Sequence, residues 1–165
     1  RKLQPEDWRV FHPIPMNIRT IRSEDAAAIA ELHVEADDVR ATPQQIAAAI
    51  AAQSQSEMAF VAEVDGVLAG YACLRVLPNL FDAIPYAELS EIYIGAAHRR
   101  LGIGRALLQH VEAEAQARGA TQLVLLTAWR NTKAHAFYLS LGYSLYTITM
   151  RRSLDDVGQW VSETV

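Results

Sequence analysis

The sequence predicts an α/β (α+β) fold: a mixed, mostly antiparallel central sheet with helices on both faces. Three observations carry this. Two apolar arms, 58–64 and 67–76, flank Asp65-Gly66, the strongest short signal for a hairpin and so for antiparallel pairing. Residues 91–108 pass from a strand pattern through a glycine turn into a helical pattern. Residues 122–127 contain Leu-Val-Leu-Leu, an uninterrupted apolar run that suits a buried parallel strand. Hairpins first and βαβ units later require a sheet of both senses.

The elements follow in order. Residues 1–16 hold Pro5, Pro13 and Pro15 with Trp8 and Phe11 between them, and read as an irregular arm. Residues 17–22 alternate as a short strand. Ser23 looks like an N-cap, with Glu24 and Asp25 in the first turn, where a helix dipole favours acids. The helix runs to about Asp37, with Ile29, Leu32, His33 and Ala36 on one face. Thr42 caps a second, alanine-rich helix that has Pro43 at its first position. The hairpin follows, then an irregular loop, 77–86, that shows Leu80, Phe81 and Tyr86.

Residues 87–94 form the next strand, and 98–105 the glycine turn. Ile103, Leu107, Val111 and Ala115 recur at steps of four, and Gly119 ends that helix. Residues 122–127 are the parallel strand. Asn131 opens a helix to about Leu141, closed by Gly142, and 143–151 alternate as a last strand. The tail, 153–165, is polar apart from Trp160. The order is β-α-α-β-β-β-α-β-α-β.

Composition bounds the function. The 165 residues suit one domain with a substantial core, and 51% apolar with 21% charged residues is ordinary for a globular protein. A net charge of −4 argues against a nucleic-acid binder. The single cysteine, Cys73, excludes an intramolecular disulfide and fits a reducing cytoplasm. No run approaches the length of a membrane helix, and Arg1 to Trp8 lack the apolar core of a signal peptide. His98, His110 and His135 share no metal spacing, so no metal is expected.

The glycine turn admits four readings. A dinucleotide fold needs a third glycine where Leu107 stands, and a P-loop needs Lys-Ser/Thr where Arg105-Ala106 stand. The bland reading is a tightly packed helix start. The fourth comes from Arg99-x-x-Gly102-x-Gly104, which has the spacing Arg/Gln-x-x-Gly-x-Gly/Ala after a strand and before an amphipathic helix. A second pattern follows: Asn131-x-x-Ala134-x-x-Phe137-Tyr138-x-x-x-Gly142-Tyr143. Together, in this order, these resemble the GNAT (GCN5-related N-acetyltransferase) superfamily over about residues 17–152, leaving 1–16 and 153–165 outside that domain.

The resemblance implies a cosubstrate, acetyl-CoA. Main-chain amides of Arg99, Arg100, Leu101, Gly102, Ile103, Gly104 and Arg105 would cradle its pyrophosphate; independently of the family, such a nest of N–H groups with a helix dipole favours a dianion. Main-chain groups of Ile92, Tyr93 and Ile94 would bond the pantetheine arm and the acetyl carbonyl, in a gap between strands 87–94 and 122–127. Asn131 would bond the arm, cap its helix, or both. Tyr138 matches the family tyrosine that protonates the departing thiolate; its other reading is a core tyrosine. Glu91 is the candidate base, or else a structural or substrate-orienting carboxylate. Glu88 falls on the other face of an ideal strand, unless a bulge changes the parity, and Tyr93 shares Glu91's face. Cys73 reads as a buried structural thiol.

The expected activity is therefore acetyl transfer from acetyl-CoA to an amine by direct attack in a ternary complex. The acceptor is a small molecule or a protein amine, placed by the first two helices and loop 77–86, with Asp37, Asp38 and Asp82 to attract a cation. Two alternatives are a non-catalytic acyl-CoA-binding regulatory module and an adaptor with a vestigial pocket. Neither nucleic acid nor membrane is an expected partner. The aromatics of the end segments fit a homodimer interface, or cover for their own domain.

Overall fold

The computed structural model describes residues 15–36 and 41–150. Most of the irregular arm with Trp8 and Phe11, the pair Asp37 and Asp38, and the tail with Trp160 lie outside the described residues. The chain divides into two units, 1–126 and 127–165.

The first unit contains strand β1 (Met16–Thr20), helices α1 (Ala26–Glu35) and α2 (Pro43–Ala51), and strands β2 (Glu57–Val64), β3 (Val67–Leu77) and β4 (Tyr86–Ile94). Helix α3 (Ile103–Ala117) and strand β5 (Leu123–Leu125) complete it. The sheet order is β1-β2-β3-β4-β5. The first three pairings are antiparallel and the last is parallel. The expected mixed sheet is therefore present, and local chemistry explains its parts. Asp65 and Gly66 both take positive φ, 51° and 77°, which makes the tight primed turn that matches strand twist. Thr42 Oγ1 accepts from the Gln45 N–H at 3.3 Å, and Gln45 Oε1 accepts from the Thr42 N–H at 2.8 Å, a reciprocal cap.

The start of α1 departs from expectation. A short 3₁₀ turn, Ser23–Asp25, precedes it, and Asp25 stands at the N-cap position of α1 without a side-chain cap bond. Asp25 Oδ2 accepts from the Arg22 N–H at 2.7 Å. Arg19 fixes that carboxylate: its guanidinium donates to both Asp25 oxygens at 2.8 Å and to Glu63 Oε1 at 2.6 Å, and charge-assisted bonds of this kind are the strong ones.

The ladder registers sort the side chains onto two faces. Ala59, Val61 and Tyr71 lie on the face that packs with Ile21, Ala26, Ile29, Leu32 and Ile46 of the α1–α2 side. Phe60 lies on the other face and meets His110 of α3 edge to face at 4.6 Å. There Ile103, Leu107, Leu108 and Val111 are fully buried, as are Ala72 and Leu74 of β3. Helices thus cover both faces, as the amphipathic period of α3 requires.

In the second unit, Asn131 caps helix α4 (Thr132–Ser140), its Oδ1 accepting from the Ala134 N–H at 3.1 Å. Gly142 closes the helix with φ 90°. The strand expected over 143–151 is a correction: residues 143–150 form none. Alternation of Thr147, Ile148, Thr149 and Met150 suits a strand, but a strand exists only as one side of a ladder. No other strand occurs among the described residues of this unit.

Candidate active site

Strand β4 builds the first half of the site. Cys73 pairs with Glu91 and Leu74 with Leu89, so Ser90 is an extra residue, a β-bulge. The bulge shifts the parity. Arg75 opposes Glu88 and Cys73 opposes Glu91, and residues 73 and 75 share a face. Glu88 and Glu91 therefore lie on one face, that of α1 and α2, together with Tyr93; the expectation for an unbulged strand, Glu88 opposite Glu91, is corrected. Glu91 is exposed and Glu88 half-buried. The Tyr86 hydroxyl donates to Glu88 at 3.3 Å.

Strand β5 pairs with β4 only over Ala87–Leu89. Beyond Leu89 that edge of β4 leaves the ladder. The Gly95 N–H donates to the Ala69 carbonyl at 2.9 Å, and ladder bonds alternate along antiparallel strands. Glu91 and Tyr93 therefore turn their main-chain groups towards β3, and Ile92 and Ile94 turn theirs to the open edge. The Ile94 carbonyl accepts from Arg99 Nε at 3.0 Å. That leaves the Ile92 N–H and C=O and the Ile94 N–H facing outward.

The turn follows directly. After a 3₁₀ turn, Ala96–His98, Arg100 and Gly102 adopt positive φ, 61° and 84°. The first α-helical bond of α3 runs from the Ala106 N–H to the Gly102 carbonyl at 3.0 Å. The N–H groups of Ile103, Gly104 and Arg105 precede it, with no side-chain cap on the helix. Free N–H groups at a helix start, with the helix dipole behind them, favour an anion. Ile103 anchors it from below, 1% exposed. Leu101 is half-buried, and Arg100 and Arg105 are exposed. The Arg99 side chain turns back to the strand, donating to the Tyr93 hydroxyl at 2.8 Å.

Two groups not foreseen from the sequence stand on the face of Glu91 and Tyr93. Tyr71 OH and His33 Nε2 share a hydrogen bond of 2.9 Å. Glu35, the last residue of α1, accepts from the Tyr93 hydroxyl at 2.9 Å and from the Ala96 N–H. Those bonds, the main-chain one first, hold its carboxyl below the usual range. A carboxylate at a helix C-terminus, where the dipole disfavours it, was the available sequence signal for Glu35. Nothing in the pattern marked His33 beyond its apolar face. Cys73 is pushed up to about 12, by burial and then by Glu91, so it is a thiol and not a nucleophile at neutral pH.

In the second unit, Tyr138 is half-buried, and desolvation raises its phenol above the ordinary value. Its ring packs on Phe137 at 5.2 Å and Tyr143 at 5.7 Å. A shallow cavity lined by Gln55, Ser56, Met58, Val76 and Arg118 lies at the other end of the strands from the glycine turn. There Arg118 is engaged by Met58 and Glu114.

This arrangement has counterparts. Residues 26–143 match the family model described as the Acetyltransferase (GNAT) family. The L-methionine sulfoximine/L-methionine sulfone acetyltransferase of Salmonella typhimurium is 28% identical over 158 residues, covering 90% of this chain and 91% of that one. The phosphinothricin N-acetyltransferase of Streptomyces viridochromogenes is 28% identical over 140 residues, covering 79% and 75%. Among solved structures, a putative acetyltransferase from Agrobacterium tumefaciens superposes with a TM-score of 0.75 at 27% identity, covering 83% and 99%. The family match spans well over half the chain, and the strand, glycine turn and helix lie inside it: the chain belongs to the GNAT family of acetyltransferases.

Proposed function

We propose that the chain transfers an acetyl group from acetyl-CoA to the α-amino group of a small amino acid or a close analogue, by direct attack in a ternary complex. The observation that carries the reading is continuity. The open edge of β4 leads within one turn to the unpartnered N–H groups at the start of α3. A lane of main-chain donors and acceptors suits the amides of pantetheine, and a helix start suits a pyrophosphate. Arg99 to Arg105 form the cradle, with Gly102 and Gly104 keeping it open; Ile92 and Ile94 bond the arm through the main chain, and Asn131 through its amide. Tyr93 contributes its side chain, since its main chain faces β3. The acceptor class follows relatives named for L-methionine sulfoximine, L-methionine sulfone and L-amino acids.

Acetyl-CoA supplies a thioester carbonyl and a sulfur leaving group. Glu91, directly or through a water, removes the proton from the acceptor ammonium, so that nitrogen can form its bond to the carbonyl carbon. Strand N–H groups of Ile92 or Ile94 steady the charge that develops on oxygen. Tyr138 gives its phenolic proton to sulfur as the C–S bond breaks.

The test is release of CoA thiol from acetyl-CoA with a panel of amino acids, amino-acid analogues, aminoglycosides and peptide N-termini. Turnover restricted to the first two classes is the expected result. Turnover only with peptides would move the acceptor to protein amines. Tight CoA binding with no turnover on any amine would favour the regulatory module.

A further inference from the structure

We propose that Glu35 is a positioning residue that holds the cradle in place through the end of β4 and Arg99. The inference deepens the proposed function and rests on it for the identity of the ligand. One carboxylate oxygen, Glu35 Oε1, accepts from the Tyr93 hydroxyl at 2.9 Å and from the Ala96 N–H at 2.5 Å. Arg99 stands 3.6 Å from the same oxygen. Arg99 in turn donates to the Tyr93 hydroxyl and the Ile94 carbonyl, and its guanidinium lies 5.3 Å from the centre of the Tyr93 ring. A single side chain of α1 thus meets three residues, Tyr93, Ala96 and Arg99, on both sides of Gly95.

The approach of α1 is close at that point. A Cβ on Gly95 would stand 3.1 Å from Leu32 Cδ2, so the helix seats against the junction where strand becomes turn. Glu35 also sits at the helix end that disfavours a carboxylate. Its own helix gives no reason for the residue, whereas the strand-to-turn junction supplies an N–H, a hydroxyl and a guanidinium. What Glu35 fixes is the direction in which the chain leaves β4, and that direction sets where the N–H groups of residues 102–105 point.

The experiment compares the full chain with Glu35→Ala and Glu35→Gln. Hydrogen exchange of the ligand-free proteins reads the junction. Ala96 donates to Glu35, His98 to Gly95 and Arg99 to Ala96, so these amides are protected only while the turn keeps its shape. Glu35→Ala should speed exchange over 93–102 and leave the sheet as it was. Glu35→Gln keeps an acceptor oxygen and should restore most of the protection. With coenzyme A as probe, calorimetry should show about tenfold weaker binding for Glu35→Ala, the equivalent of losing a charge-assisted hydrogen bond. The turnover number at saturating acetyl-CoA should stay within about twofold of wild type, since no interaction special to the transition state is lost.

Unchanged exchange over 93–102 in Glu35→Ala overturns the proposal. So does faster exchange spread across the whole sheet, which marks a residue of general stability, or a turnover number that falls as far as the affinity. If the unsubstituted chain binds no coenzyme A, the proposed function fails, and the exchange arm alone decides whether Glu35 holds the turn.

Discussion

At the scale of single residues, each of the two proposed proton carriers can be tested by one substitution. Tyr138→Phe removes one hydroxyl and keeps the ring that packs on Phe137 and Tyr143. Turnover should fall by about a hundredfold, the lower range for a lost general acid, with coenzyme A affinity retained by calorimetry. Glu91→Gln should also lower the turnover number, with coenzyme A affinity again retained by calorimetry. A raised KM for the acceptor with the turnover number unchanged would return Glu91 to an orienting role. Asn131 and Tyr138 could be proposed from the sequence because their motif is a spacing, and the cap that Asn131 makes was legible in it. Glu35, Tyr71 and His33 were not, because their partners lie 38 to 61 positions away, and no local pattern encodes a contact of that reach. Asp37 and Asp38, expected to draw a cationic acceptor, fall outside the described residues.

At the scale of elements, the cradle depends on one backbone conformation. Gly102 has φ 84°, and a Cβ there would meet no atom within 4 Å. Its cost in Gly102→Val is therefore conformational and not steric, about 1–2 kcal/mol for a residue forced into the left-handed region. Relief of that strain would twist the turn, so coenzyme A binding should weaken more than the melting temperature falls, a comparison calorimetry and thermal unfolding can make. The turn and its helix were legible because glycine and the helical period are local signals. The bulge was half-legible. Ala87 and Leu89 share a face with Ile92 and Ile94, and the step of three between Leu89 and Ile92 is a slip in the alternation. The strand expected at 143–151 failed for the converse reason: its alternation is correct, but pairing is a property of two segments.

At the scale of the whole molecule, the order of elements from β1 to α4 and the helices on both faces of the sheet follow from hydrophobic period and turn chemistry, and they were readable in the sequence. The charge network that ties β1, β2 and the approach to α1 was not. Arg19 draws Asp25 and Glu63 below the usual carboxylate range, chiefly through its hydrogen bonds. A depressed folded value means stability that is fully present above the unfolded value of about 4 and is lost as pH falls through the lowered one. The urea midpoint should accordingly be flat from about pH 7 to 5 and drop below pH 4. Asp25→Asn should cost about 2 kcal/mol at pH 7, and its deficit against the unsubstituted chain should shrink by pH 3.

The extra residue in β4 acts like a frameshift in the pleat. Everything before Ser90 is read in one phase and everything after it in the other, and the chain is viable only because both phases place apolar groups on the α3 side. Substitutions at position 90 should be absorbed, since the serine spends only a 3.4 Å bond to the Cys73 carbonyl. Deleting it would restore a single phase: with residues 91–94 kept in register, Leu89 would still oppose Leu74 and Glu88 would still oppose Arg75, so each would keep its face. What the deletion would remove is the local bend and twist of the bulge, and with it the direction in which residues 87–89 run beside β5. The loss should therefore show in the β4–β5 ladder and not in the sorting of side chains, a comparison that hydrogen exchange of the two strands can make.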